Sequence, residues 1–171
     1  MKKILITLFI GLVLGGAGGF AAGLFFFPFL FPPPIAAEEV AGRTERAQLS
    51  VGAFIHANPS DPVHWGKGGV ELLGGAAGAA ESGRVVHLLG DFEVGPGPRY
   101  HVYLADRADI RTNDDFHAAA VTDLGQLRAF GGSQVYAIPD GFDLAPIKSV
   151  VIWCKAFGVL VSPATLKPAG G

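Results

Sequence analysis

VVIWCKAF, residues 150–157, is the most strand-like stretch of this chain and carries its only cysteine, Cys154. β-branched and aromatic side chains dominate it, as they do in pleated, half-buried segments. Period two places Val150, Ile152, Cys154 and Ala156 on one side and Val151, Trp153, Lys155 and Phe157 on the other. Cys154 therefore falls on a face of small apolar residues, where a free cysteine behaves as a small hydrophobe. Lys155 points to the opposite face and offers the thiol no neighbouring positive charge.

Working outward, the segments 85–92 (VVHLLGDF), 100–104 (YHVYL) and 134–138 (QVYAI) have the same composition, and 51–56 and 69–73 have it more weakly. GPGP at 95–98, Gly131–Gly132 and PDG at 139–141 punctuate them as turns. The only helical pattern after residue 48 is short, near 114–120. Many short strands without long alternating helices predict an all-β domain, an antiparallel sandwich or a barrel-like sheet. Its expected span is 49–166, with a tail at 167–171. The 171 residues leave room for one ordinary core.

The N-terminus has a different character. Lys2 and Lys3 precede an uncharged apolar run from Ile4 to Phe31, longer than the ~20 residues that cross a bilayer. Small-x-small cleavage positions are poor or badly placed, and a cut after Ala21 would leave FFFPFLFPPP as the mature terminus. Residues 1–31 are read as an uncleaved signal anchor, with Lys2 and Lys3 on the cytoplasmic side and the rest facing the periplasm or cell exterior. Gly11, Gly15, Gly19 and Gly23 fall on one helix face, which allows a second helix to approach closely and makes a homo-oligomer an expectation; glycine is also simply frequent here, with 25 in the chain. Residues 32–48, proline-rich and then polar, read as a stiff spacer followed by a flexible linker. All 15 acidic residues follow the apolar run, whereas two of the 13 basic ones precede it. That weak acidity, without a basic cluster, argues against nucleic acid as a partner.

In an oxidising compartment a lone cysteine leaves three states: a free thiol, an intermolecular bridge or a cofactor bond. The residues around it disfavour the familiar metal and haem arrangements. No histidine follows Cys154 and the only methionine is Met1, unlike a blue-copper set. No C-x-x-C-H stands for covalent haem. His56, His64, His87, His101 and His117 form no close pair for structural zinc. His87 and His101 read as cross-strand packing residues. His56 and His64 flank the turn-rich ANPSDPV and are expected to be exposed, and His64 beside Trp65 is the better site candidate because loops carry function. No serine sits in G-x-S-x-G, and GGAAG at 74–78 lacks the Lys and Ser or Thr of a phosphate loop.

Three ordered blocks, GDFEVGPGPRYHVYLAD, DLGQLRAFGGSQVYAIP and KSVVIWCKAFGVLVSPATL, preceded by H-x-G-x-G at His64 to Gly68, resemble the DM-thirteen domain family, often labelled an electron-transfer domain. The resemblance runs from about residue 50 to 166. It implies an extracytoplasmic β-sandwich-like module whose characteristic cysteine matches Cys154. It also implies redox transfer through that thiol or through a cofactor, of unknown identity, bound near it, with a redox protein as partner. Family members commonly read Gly-Pro-Asp where this chain has Gly97, Pro98 and Arg99. Cys154 is thus the expected redox residue, with His64 and Trp153 as candidate cofactor contacts. The rival expectation is a non-catalytic binding or structural module of the cell surface with a buried, inert cysteine.

Overall fold

The computed structural model describes residues 2–31, 34–76 and 83–170. Residues 32 and 33 of the spacer and 77–78 of the GGAAG run lie outside the described residues. The chain divides into two units, 1–34 and 35–171. The first is a single helix, α1 (Lys2–Leu30), of 29 residues, uncharged after Lys3 and apolar but for Thr7, whose hydroxyl donates back to the Lys3 carbonyl, and long enough to cross a membrane. Beyond the local backbone of the helix itself, no atom lies within 4 Å of where a side chain would begin at Gly11, Gly15, Gly19 or Gly23 among the described residues.

The second unit is all-β. Its elements are β1 (Ala36–Ala37), a 3-10 turn (Arg43–Glu45), β2 (Gln48–Phe54), β3 (Gly66–Lys67), β4 (Gly69–Leu73), β5 (Val85–Leu88), β6 (Glu93–Val94), β7 (Tyr100–Ala105), α2 (Asn113–His117), β8 (Val121–Gln126), β9 (Gly132–Ala137), β10 (Ser149–Cys154) and β11 (Val159–Pro168). Nine strands form one sheet in the order β1-β9-β5-β4-β2-β11-β10-β7-β8, and β3 pairs with β6 apart from it. All neighbours are antiparallel except β1 and β9. The expected all-β architecture is therefore present as one curled sheet, a half-barrel. Its two ends are drawn together by the chain between β8 and β9: the Arg128 and Ala129 N–H groups donate to Gln134 Oε1, which also accepts from the Tyr136 hydroxyl at 2.9 Å.

The inner face of the curl holds the main core, including Phe54, Leu72, Val86, Leu88, Phe92, Tyr100, Val102, Ile152 and Cys154. Alternation along β10 sends Val150, Ile152 and Cys154 inward, while Val151 and Trp153 face the opposite side, as the sequence pattern requires. That outer side is covered by α2, whose Phe116 stacks on Trp153 with ring centroids 4.0 Å apart, and by Tyr103, Ile110 and Leu160. Thr112 caps α2: its hydroxyl accepts from the Asp115 N–H while the Asp115 carboxylate accepts from the Thr112 N–H. β10 is buried on both faces along its whole length, which explains its unbroken apolar sequence.

The polar residues 38–48, which composition assigns to a linker, are fixed to the far end of the sheet. β1 runs parallel to β9, and a Cβ at Gly132 would lie 2.0 Å from the Ala36 carbonyl oxygen, so only glycine permits that approach. Arg128 donates two hydrogen bonds to the Glu38 carboxylate, which also takes the Val135 N–H. Arg43 donates twice to Glu71, a carboxylate 2 % exposed that also accepts from Gln48 and His87. Val40 closes the contact against Leu73 and Val85.

Candidate functional site

Cys154 is the last residue of β10, where the antiparallel register sets it opposite Tyr100 of β7 and Val159 of β11. It is completely buried. Its Sγ donates to the Pro98 carbonyl at 3.3 Å, and the Lys155 N–H donates to the Arg99 carbonyl at 3.1 Å. The turn of residues 95–98 thus lies over the thiol. Two features let that turn form. Gly97 packs so closely on Tyr100 that a Cβ there would sit 2.1 Å from the phenol oxygen. Arg99 adopts a left-handed conformation, φ 53°, which returns the chain into β7.

Tyr100 is the feature that reading the strands alone does not single out. Alternation places it inward with Val102 and Leu104. It is 2 % exposed, and among the described residues its hydroxyl has no hydrogen-bond partner. A buried O–H left unmade costs about 1–3 kcal/mol. Burial drives the phenol far above the ordinary tyrosine range, and the proximity of Cys154 and of the Asp61 carboxylate pushes the same way.

Asp61 leads to His64. The Asp61 carboxylate accepts the Val63 and His64 N–H groups at 2.9 and 3.0 Å and meets His64 Nδ1 at 2.8 Å; His56 Nε2 lies 2.8 Å from the Asp61 carbonyl. Burial opposes the charged form of Asp61, but these hydrogen bonds outweigh it and hold the carboxyl down to about 2. His56 and His64 are partly buried rather than fully exposed, because the 55–65 loop folds back on its own aspartate. Trp65 closes the loop onto the turn, its carbonyl accepting the Gly95 N–H at 3.0 Å. The structure therefore places Cys154, Tyr100 and the Asp61–His64 pair at one end of the curled sheet.

Trp153 lies elsewhere. It is on the outer face, stacked on Phe116 with His117 edge-on at 5.2 Å, so the sheet separates its ring from the thiol. His101 and Tyr103 belong to that side too. His101 Nδ1 meets both Asp123 oxygens at 3.0 Å, and Lys155 Nζ donates to the same carboxylate at 3.1 Å. Burial resists ionisation of Asp123, and bonds from His101, Gly125 and Lys155 prevail, bringing it to about 2. His87 bridges Glu71 and Ser133 across neighbouring strands at 2.8 and 2.9 Å. Among the described residues, no three His, Cys, Asp or Glu side chains converge as a metal site.

Neither the curated proteins nor the solved structures contain a match to the chain. The family model described as Electron transfer DM13 matches residues 60–166, from the Asp61 loop through Cys154 into β11. With well over half its length so matched, the chain belongs to the Electron transfer DM13 family.

Proposed function

We propose that this chain is a membrane-tethered redox module in which the Cys154 thiol gains and loses electrons on behalf of a partner protein. The observation that carries the reading is the setting of the sole cysteine: a thiol held by the Pro98 carbonyl beneath a short turn, beside a phenol with no partner among the described residues. Membership of an electron-transfer family supports a redox-related role. With no second cysteine in the chain, the oxidised states open to Cys154 are a sulfenic acid or a mixed disulfide with a thiol of the partner. Either requires the 95–98 turn to move aside. α1 supplies the tether, and Lys2 and Lys3 favour a domain facing the periplasm or exterior, where an oxidised thiol persists. A second copy of the helix would pack along Gly11, Gly15, Gly19 and Gly23.

The test uses the full chain in detergent micelles, with Cys154 modification followed by mass spectrometry across ambient redox potentials and the absorption spectrum recorded in parallel. A defined midpoint in folded protein, or a bound chromophore, supports the reading. A second reading, a non-catalytic surface module with an inert core cysteine, is favoured by the complete burial of Cys154. A thiol that reacts only after unfolding, in protein without a chromophore, selects that one instead.

A further inference from the structure

The unmade hydrogen bond of Tyr100 narrows the oxidant. Tyr100 and Cys154 are direct register partners on adjacent strands with both side chains inward, which brings their Cβ atoms within about 5.5 Å. Both polar ends meet the same dipeptide: the phenol oxygen abuts Gly97 and the sulfur is bonded to the carbonyl of Pro98. The phenol makes no hydrogen bond to the sulfur in this state. A buried donor without a protein partner, beside a thiol, is suited to an acceptor that is present only after the thiol has reacted.

We propose that the Tyr100 hydroxyl is the hydrogen-bond donor for an oxygen transferred to Cys154, so that the pair forms a site for oxidation by a small hydroperoxide. This rests on the redox reading of Cys154. Enclosure beneath a four-residue turn favours a small oxidant over a protein disulfide for the first step. With hydrogen peroxide, the sulfur attacks one peroxide oxygen, an S–O bond forms and the O–O bond breaks. Sulfur gives up two electrons, and the departing hydroxide takes the thiol proton and leaves as water. The transferred oxygen then accepts from Tyr100, as an oxyanion does from a preorganised donor. Burial disfavours ionisation of the phenol, which stays protonated and able to donate. The other charged groups at this end are Asp61 with His64 in the 55–65 loop and the exposed Arg99 and Lys155 at the strand ends, none of which hydrogen-bonds the thiol.

The experiment compares wild type with Tyr100→Phe as full chains in micelles, measuring Cys154 sulfenylation by hydrogen peroxide and alkylation by iodoacetamide. Alkylation reads access and thiol ionisation; peroxide reads both together with stabilisation of the transferred oxygen. The ratio of the two rates is expected to fall at least tenfold in Tyr100→Phe, with a shorter-lived sulfenic acid. An unchanged ratio overturns the proposal while leaving the redox reading intact. A Cys154 inert to both reagents in folded wild type overturns both. Tyr100→Phe removes only the unsatisfied hydroxyl, so a purely structural tyrosine would give a variant of equal or higher urea midpoint and the same ratio. Gly97→Ala is the second variant: its methyl group crowds the phenol oxygen, and the same drop in ratio is expected wherever it folds.

Discussion

Glu71→Gln tests whether the N-terminal strap of the domain is held as the structure shows. Glu71 is nearly inaccessible, and each of its oxygens receives two donors: Arg43 Nε and His87 Nδ1 at 2.8 Å on one, Arg43 Nη2 and Gln48 Nε2 at 2.7 and 2.6 Å on the other. Burial alone would raise its pKa, yet bonds from His87, Gln48 and Arg43 bring it below the ordinary value. Glutamine fits the same space, but whichever way its amide turns, its NH2 faces an Arg43 N–H donor that cannot become an acceptor. Removing one member of a buried ion pair costs about 3–5 kcal/mol. Arg43 is partly exposed and can rehydrate, so the expected loss is at the low end, about 3 kcal/mol. With a urea slope of about 1–3 kcal/mol/M, the unfolding midpoint should fall by roughly 1–3 M. Fluorescence of Trp153, stacked and buried, reports the transition. A midpoint shift under about 0.3 M would refute the reasoning and mean that the 38–48 segment does not dock in solution.

Three further expectations follow from single positions. Arg99→Gly relieves a left-handed residue at φ 53° and should stabilise the domain by about 0.5–1 kcal/mol in urea melts; Arg99→Asp should recover part of that, since aspartate tolerates this region. Gly97→Ala sets a methyl group against the Tyr100 oxygen and should cost about 1–3 kcal/mol, and the double variant with Tyr100→Phe should regain much of it, a coupling readable in a double-mutant cycle. Asp61 and Asp123 are both held to about 2, below their unfolded value of 3.8. Their contribution is complete above about pH 4 and is lost as pH falls toward 2, so the urea midpoint should decline across that window, and Asp61→Asn with Asp123→Asn should flatten the decline.

How much was legible in the sequence depends on how far apart the interacting residues lie. The strands at 85–88, 100–105, 132–137 and 149–154 announce themselves by local composition, as does the inward face of Cys154. β11 does not, because Pro163 argues against a central strand. The structure accommodates it just beyond Ala164, the first partner of β2, and two residues from the register shift opposite Ile152 and Trp153. β8 is an edge strand whose Asp123 and Gly125 read as a turn, and Gly125, at φ 120°, lies at a register shift in its pairing with β7. Residues 38–48 carry charges that look solvated until their partners 23 to 97 positions away are placed beside them. Tyr100 is a case of another kind. Its face follows from alternation, whereas the absence of a partner for its hydroxyl depends on how residues 95–98 fold over it.

The strap and the thiol can also be played against each other to establish how Cys154 is reached. A buried thiol reacts through an open form, and when opening and closing are fast the labelling rate tracks the population of that form. If access requires global unfolding, Glu71→Gln raises that population by its full effect on stability; about 3 kcal/mol corresponds to roughly 150-fold faster alkylation. If residues 95–98 alone lift away, Glu71→Gln should leave the rate nearly unchanged, because Glu71 contacts Arg43 of the 3-10 turn, Gln48 of β2 and His87 of β5, all remote from residues 95–98. Gly97→Ala should behave in the opposite sense, because it strains the turn against Tyr100 directly. Fast labelling in Gly97→Ala with little change in Glu71→Gln, at matched urea midpoints, would establish the turn as a local door. Equal acceleration in both would tie thiol reactivity to unfolding and remove the basis for redox function at Cys154.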